Sequence, residues 1–264
     1  MIIDFHTHTF PEKIAKKALD KLSANSGTPY YTEGTVSALK NSMERCHVDK
    51  SVLLPVVTDK SQLETINRTA LNLLETEPSF IPFGGIHPDN ENYREVLRML
   101  ANNGIKGIKL HPVFQNVNFD DIRYLRLVEC ACENDLIVTI HAGYDIGYPR
   151  DCDQAVPHRI RALIDQVHPD KLVLAHMGGW HCLDEVKQLL AGLPVYFDTA
   201  FTQLSDADFC ELVKLHGDDK ILFGTDSPWA DQAEDIQKLH SCGLDSEAIE
   251  KILWKNAAKL LKLT

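Results

Sequence analysis

The sequence predicts an α/β fold, a single (β/α)8 barrel of parallel strands with an extra C-terminal helix. Three observations predict it. Eight short apolar, β-branched runs recur along the chain, helical stretches separate them, and polar residues gather at the ends of several runs. The strand starts recur about every 31 residues, the length of one βα unit. An open doubly wound sheet is the alternative. It would carry a glycine-rich first turn, whereas the first turn here reads His6-Thr7-His8-Thr9.

Taken in order, the predicted strands are Ile2–Phe5, Ser51–Val56, Ile81–Ile86, Ile105–Leu110, Ile137–Ile140, Leu172–Ala175, Val195–Phe197 and Ile221–Gly224. Helix patterns fill the gaps, for example Tyr93–Asn103, Ile122–Cys132, Arg159–Val167 and Cys182–Leu190. Several close on Gly or Asn, as Asn102-Asn103-Gly104 does. Two connections exceed a minimal crossover. Residues 9–50 hold more than one helix around Thr28–Gly34, and residues 142–157 are rich in Gly, Tyr, Pro and Asp. Loops that follow barrel strands lie at the C-terminal face, so these two would shape a substrate pocket. Ser246–Leu263 reads as a terminal amphipathic helix covering the outside of the barrel. Eight units and this helix use the whole chain, so residues 1–264 are expected to form one domain.

Composition narrows the function classes. A net charge of −11 argues against a nucleic-acid partner that depends on counterion release. The chain is 44% hydrophobic and 25% charged, which excludes a disordered chain, a collagen-like fibre and a membrane bundle. Seven cysteines without a CxxC pair read as reduced thiols. No signal-peptide pattern precedes the first strand and no run approaches the ~18 apolar residues of a membrane span. A cytoplasmic protein is expected, with a small-molecule substrate, no membrane partner, and a homo-oligomer left open.

Chemistry-bearing residues sit at the strand ends. Strand one ends Asp4-Phe5-His6-Thr7-His8, strand four Lys109-Leu110-His111-Pro112, and strand five His141-Ala142-Gly143. Strand six ends His176-Met177-Gly178-Gly179, and strand eight Thr225-Asp226-Ser227-Pro228. Period-two alternation puts His6 and His8 on one face, leaving Ile3 and Phe5 for the helix layer. It also groups Lys109 with His111, Thr139 with His141, and Gly224 with Asp226, all facing the barrel mouth. Imidazoles and a carboxylate in one place suit a divalent first-row ion, zinc first, with a position open for water. Such an ion lowers the pKa of its water toward about 7 and polarises a carbonyl.

This ordered set resembles the amidohydrolase superfamily. The runs Gly107–Pro112, Ala175–Gly179 and Gly224–Pro228, with the ending Asn256–Leu261, resemble its group of aminocarboxymuconate semialdehyde decarboxylase-like enzymes. The resemblance spans essentially the whole chain. It implies that His6, His8, His141 and Asp226 ligate one metal ion, Zn2+ first, with Mn2+ or another first-row ion as alternatives. It further implies that His176 stands behind the ligands and that Asp226 doubles as general base, making these two the catalytic pair. Lys109 and His111 are candidates for supporting or bridging positions. A second ion would follow if Lys109 were carbamylated; otherwise Lys109 is expected to pair with an inward carboxylate such as Asp4. His87, before Pro88, is expected to fix a turn.

The leading functional expectation is a hydrolase that uses metal-activated water on an amide, ester or lactone carbonyl. The alternative is non-oxidative decarboxylation of an aromatic or unsaturated acid, with Arg150 as the candidate carboxylate grip. The chain is shorter than is usual among decarboxylases of this group. A TatD-type metal nuclease is a third reading, but that family has a strand-four Glu where Lys109 stands. A barrel that only binds is a fourth, and the intact ligand set speaks against it. Tyr144, Trp180 and Trp229 lie just past strand ends, where they could line a substrate pocket.

Overall fold

A computed structural model describes residues 1–263. Eight parallel barrel strands alternate with helices, in the predicted order. They are β1 (Ile3–Thr7), β2 (Lys50–Leu53), β3 (Phe80–Pro82, continued by Gly84–Gly85), β4 (Gly107–Leu110), β5 (Ile137–Ile140), β6 (Leu172–Leu174), β7 (Tyr196–Asp198) and β8 (Ile221–Leu222). The two pieces of β3 join the ladders on either side, and Phe83 N donates to Leu53 O between them at 2.9 Å. The ring closes between β8 and β1. Phe5 N donates to Phe223 O at 2.7 Å, Asp226 N to His6 O at 2.8 Å, and Thr7 bridges Ser227. Several strands stop short of their predicted ends because the residues at the mouth leave the ladder to aim side chains or turn.

Alternation along the strands divides the apolar residues into two layers. Ile108, Leu110, Val138, Ile140, Leu172, Leu174 and Phe197 pack outward with helix residues such as Leu97, Leu100, Leu127 and Leu163. Val52, Leu54, Ile81, Phe83, Ile137, Val173, Tyr196 and Leu222 form the inner cluster. Each fully buried side chain of this kind contributes roughly 1.5–3 kcal/mol. Ile3 and Phe5 belong to this inner cluster, which corrects the expectation that they face the helices. The reason is local: the β1–β2 register shifts between Asp4 and Thr7, so Phe5 fills the interior while His6 still reaches the mouth.

Two helices, Glu12–Ser26 and Val36–Cys46, occupy the long connection after β1. The C-terminal segment runs Ser246–Glu250, a π turn Lys251–Lys255, then Asn256–Leu261. It does more than cover the outside. Asn256 Nδ2 donates to Ile221 O at 2.8 Å, and Ala257, Leu260 and Leu261 pack into the inner cluster. No helix among the described residues is long and apolar enough to cross a membrane.

Candidate metal centre

At the end of β1, His6 enters the mouth beside Gly224, two residues past β8. A Cβ on Gly224 would stand 2.8 Å from the His6 Cβ. Once inside, His6 Nδ1 lies 2.8 Å from Asp198 Oδ2, and His8 Nδ1 lies 2.8 Å from Leu54 O. A neutral imidazole has one N–H and one lone pair. Both acceptors demand the N–H at Nδ1, so each ring presents the lone pair of its Nε2. These two nitrogens stand 3.1 Å apart, and Asp226 Oδ1 is 3.4 Å from the first and 3.0 Å from the second. Burial, and then the charge of Lys109, hold His6 well below the ordinary histidine range. Burial opposes the charge on Asp226, but the histidines around it, His8 foremost, hold its carboxyl far down.

The same reading applies between β5 and β6. His176 Nδ1 donates to Ala200 O at 2.9 Å, and His141 Nε2 donates to Tyr144 O at 3.0 Å. The remaining lone pairs, His176 Nε2 and His141 Nδ1, face each other at 3.0 Å. Burial lowers His141 to about 3 and His176 to about 4, so both are neutral. The His6 and His176 rings are 5.4 Å apart, which brings the two pairs side by side. His176 (φ 57°) and Asp226 (φ 68°) adopt the left-handed backbone. Each such residue costs about 1–3 kcal/mol and is held only by its surroundings. Here those are His176 N to Asp198 Oδ1 at 2.9 Å and Asp226 N to His6 O at 2.8 Å.

Lys109 projects from β4 into the same space, fully buried, and Nζ donates to His6 Nε2 at 3.3 Å. Burial pulls its ammonium down to about 8, against the charges of Asp198 and Asp226, which favour it. Asp4 is not its partner. That carboxylate accepts from Thr225 N and Oγ1, Gln232 Nε2 and His6 N, away from the lysine, and burial raises it to about 6. Asp198 went unnoticed in the sequence, although it ends β7 two residues after the inward Tyr196.

His111 lies apart from the ligand nitrogens. Its ring stacks between Phe114 (3.7 Å) and His141 (4.2 Å), with Nε2 3.5 Å from Asp145 Oδ2. Asp145, in the loop after β5, had no sequence signal. His87 fixes a turn as expected: its Nδ1 accepts from Asp89 N at 3.2 Å and its N–H reaches Asn90 Oδ1 at 3.1 Å. Arg150 lies over the Tyr144 ring at 4.6 Å. Trp229 N donates to Asp226 O at 2.9 Å, and Trp180 packs on His181 and Phe201 with its Nε1 buried and unpartnered.

The sequence model of the amidohydrolase family matches residues 3–263. The chain belongs to this family. No curated protein matches it in sequence. Among solved structures, this amidohydrolase is similar to an uncharacterized TIM-barrel protein from Bordetella bronchiseptica, with 19% identity and a TM-score of 0.81, over 99% of this chain and 98% of the other. It is similar to the 5-carboxyvanillate decarboxylase of Sphingomonas paucimobilis, with 13% identity and a TM-score of 0.73, over 100% and 99% of the two chains. A dihydroxybenzoic acid decarboxylase from Polaromonas, solved with manganese and 2-nitroresorcinol, shares 14% identity at a TM-score of 0.73, over 99% and 97%. These likenesses establish the barrel.

The donor set of this amidohydrolase fits a divalent ion. Four rings turn lone pairs inward while their N–H groups are spent on acceptors behind them, and a carboxylate completes the set. Without a cation, lone pairs at 3.0 and 3.1 Å would repel. His6, His8 and Asp226 can share one ion, whereas His141 groups instead with His111 and Asp145 and turns its free nitrogen toward His176.

Proposed function

We propose that this amidohydrolase is a metal-dependent carboxy-lyase that removes carbon dioxide from a small aromatic or unsaturated acid. The observation that carries the reading is Lys109, whose buried ammonium lies 3.3 Å from His6 Nε2. A fixed positive charge against the ligand cluster suits a substrate carboxylate better than a neutral amide, ester or lactone. Its likeness in fold to decarboxylases that align over 99% and 97% of their chains agrees with this, and the chain's shortness does not speak against it.

In this reading His6, His8 and Asp226 hold one divalent ion, joined by His141, with Zn2+ and Mn2+ both compatible with the donors. The bound ion would supply positive charge that orients and polarises the substrate. Lys109 grips the carboxylate. Asp226, ionised at rest, relays a proton taken from water to the carbon that loses the carboxyl, and His176, held by Ala200 and Asp198, supports that transfer. Tyr144, Arg150 and Trp229 border the pocket.

The test is product analysis on hydroxybenzoates and unsaturated acids with Mn2+ or Zn2+ added. Release of carbon dioxide supports the reading. Turnover of a lactone, ester or amide with no carbon dioxide from any acid overturns it in favour of hydrolysis. One observation favours that second reading: Asp226 is held ionised, as a base toward water must be.

A further inference from the structure

The loop after β5 buries a carboxylate and exposes its apolar neighbours. The Asp145 side chain is 13% exposed, while Ile146 and Tyr148 are 41% and 44% exposed. An isolated ionised carboxylate is costly to bury, so partners must compensate. Gly147 N donates to Oδ1 at 2.8 Å, and Oδ2 faces His111 Nε2 at 3.5 Å and His141 Nε2 at 3.9 Å.

These three residues have the composition of a metal site, but their proton positions oppose one. Phe114 N donates to His111 Nδ1 at 3.3 Å, so the proton of the neutral ring is on Nε2, facing Asp145. The backbone that carries the ring is fixed as well. His111 N donates to Gln115 Oε1 at 3.1 Å, and that amide is fixed by Val57 O, Ile86 O and the Tyr124 hydroxyl. His141 likewise carries its proton on Nε2, given to Tyr144 O. Asp145 is therefore an anion enclosed by N–H groups, the inverse of the lone-pair cluster beside it.

We propose that Asp145 is a positioning residue that ties the loop 142–157 to the metal centre. It faces the His111 N–H at 3.5 Å and, through the His111 ring stacked on His141, backs the ring whose Nδ1 faces His176. The same contact holds the loop down across the mouth. Gly143 permits the fit, since a Cβ there would stand 2.3 Å from Trp180 N. The effect on the ion rests on the metal-centre reading above; the effect on the loop does not.

The test uses the full chain with Asp145→Ala, Asp145→Asn and His111→Phe, each checked for folding by circular dichroism. Two quantities are read: protease cleavage of residues 142–157 in metal-stripped protein, and Mn2+ or Zn2+ affinity by chelator competition. Asp145→Ala is expected to speed cleavage at least about tenfold and to weaken ion binding by roughly 10–100-fold. Asn, which keeps an acceptor oxygen, falls between, and His111→Phe, which keeps the stack but no donor, loosens the loop. Unchanged cleavage and affinity in Asp145→Ala overturn the proposal. So does a second bound ion in the wild type that Asp145→Ala alone loses, since the group would then be a cation site. If the wild type binds no ion, the metal-centre reading fails, and the cleavage rate still decides whether Asp145 holds the loop.

Discussion

Asp198 accepts the Nδ1–H of His6 at 2.8 Å with both side chains shut off from water. The other carboxylate oxygen takes His176 N at 2.9 Å and Ala200 N at 3.1 Å. One residue at the end of β7 therefore sets the tautomer of a candidate ligand, His6, and the backbone of His176. Burial pushes its carboxyl up, against the lowering influence of His176, Lys109 and the two backbone donors.

Asp198→Ala is accordingly expected to weaken divalent-ion affinity by roughly 10–100-fold. It should also destabilise the fold by about 1–3 kcal/mol, because buried donors lose their acceptor. Asp198→Asn should retain more of both. Chelator competition and denaturant unfolding on the same preparations check this.

Gly224→Ala tests the steric half of the site. The added methyl meets the His6 Cβ at 2.8 Å, with Ala200 Cβ at 3.5 Å behind it. His6 must shift, so ion binding should fall while the inner cluster loses about 1–3 kcal/mol to overpacking. Metal content and melting temperature together read the outcome. A variant that binds its ion normally would show that the Gly224–His6 approach does not set the position of the His6 ring.

Much of this was legible in the sequence, for a physical reason. Strands have a period of two, so a histidine or aspartate two residues past an inward residue must face the mouth, as His141 and Asp226 show by their positions. The β1 irregularity broke that rule for Ile3 and Phe5, because a register shift depends on the neighbouring strand. Asp198 obeyed the rule but stood between Phe197 and Thr199 with no histidine or second acid beside it to mark it. Asp145 sits in a loop, where no periodicity relates sequence to direction. Tautomers were also out of reach, since the acceptors that fix them, such as Leu54 O and Ala200 O, come from other strand ends.

Asp235 carries a pH prediction away from the ligands. Burial, and then the charge of Asp4, raise its carboxyl from 3.8 to about 7. The unfolded chain ionises near 3.8, whereas the folded protein resists ionisation until about 7. Its contribution to stability is thus full at acid pH and is lost as pH rises through that window. Asp235→Asn should match the wild type near pH 4 and melt about 2–4 °C higher at pH 8. Melting curves at the two pH values measure the difference; an equal gap at both would contradict it.

Lys109→Met separates binding from chemistry. Removing the ammonium proposed to grip the carboxylate should raise KM for an acid substrate at least about tenfold, the cost of one charge-assisted hydrogen bond. Steady-state kinetics on any acid that releases carbon dioxide supply the measurement. An unchanged KM would remove Lys109 from substrate binding.

The central claim is that lone pairs of His6 and His8, with Asp226, converge on a divalent ion. Anomalous diffraction from crystals grown with Mn2+ or Zn2+ tests it most directly. The account predicts a peak within bonding distance, about 2.0–2.2 Å, of His6 Nε2, His8 Nε2 and Asp226 Oδ1. A peak placed elsewhere, or none at these atoms with the ion in excess, would contradict it.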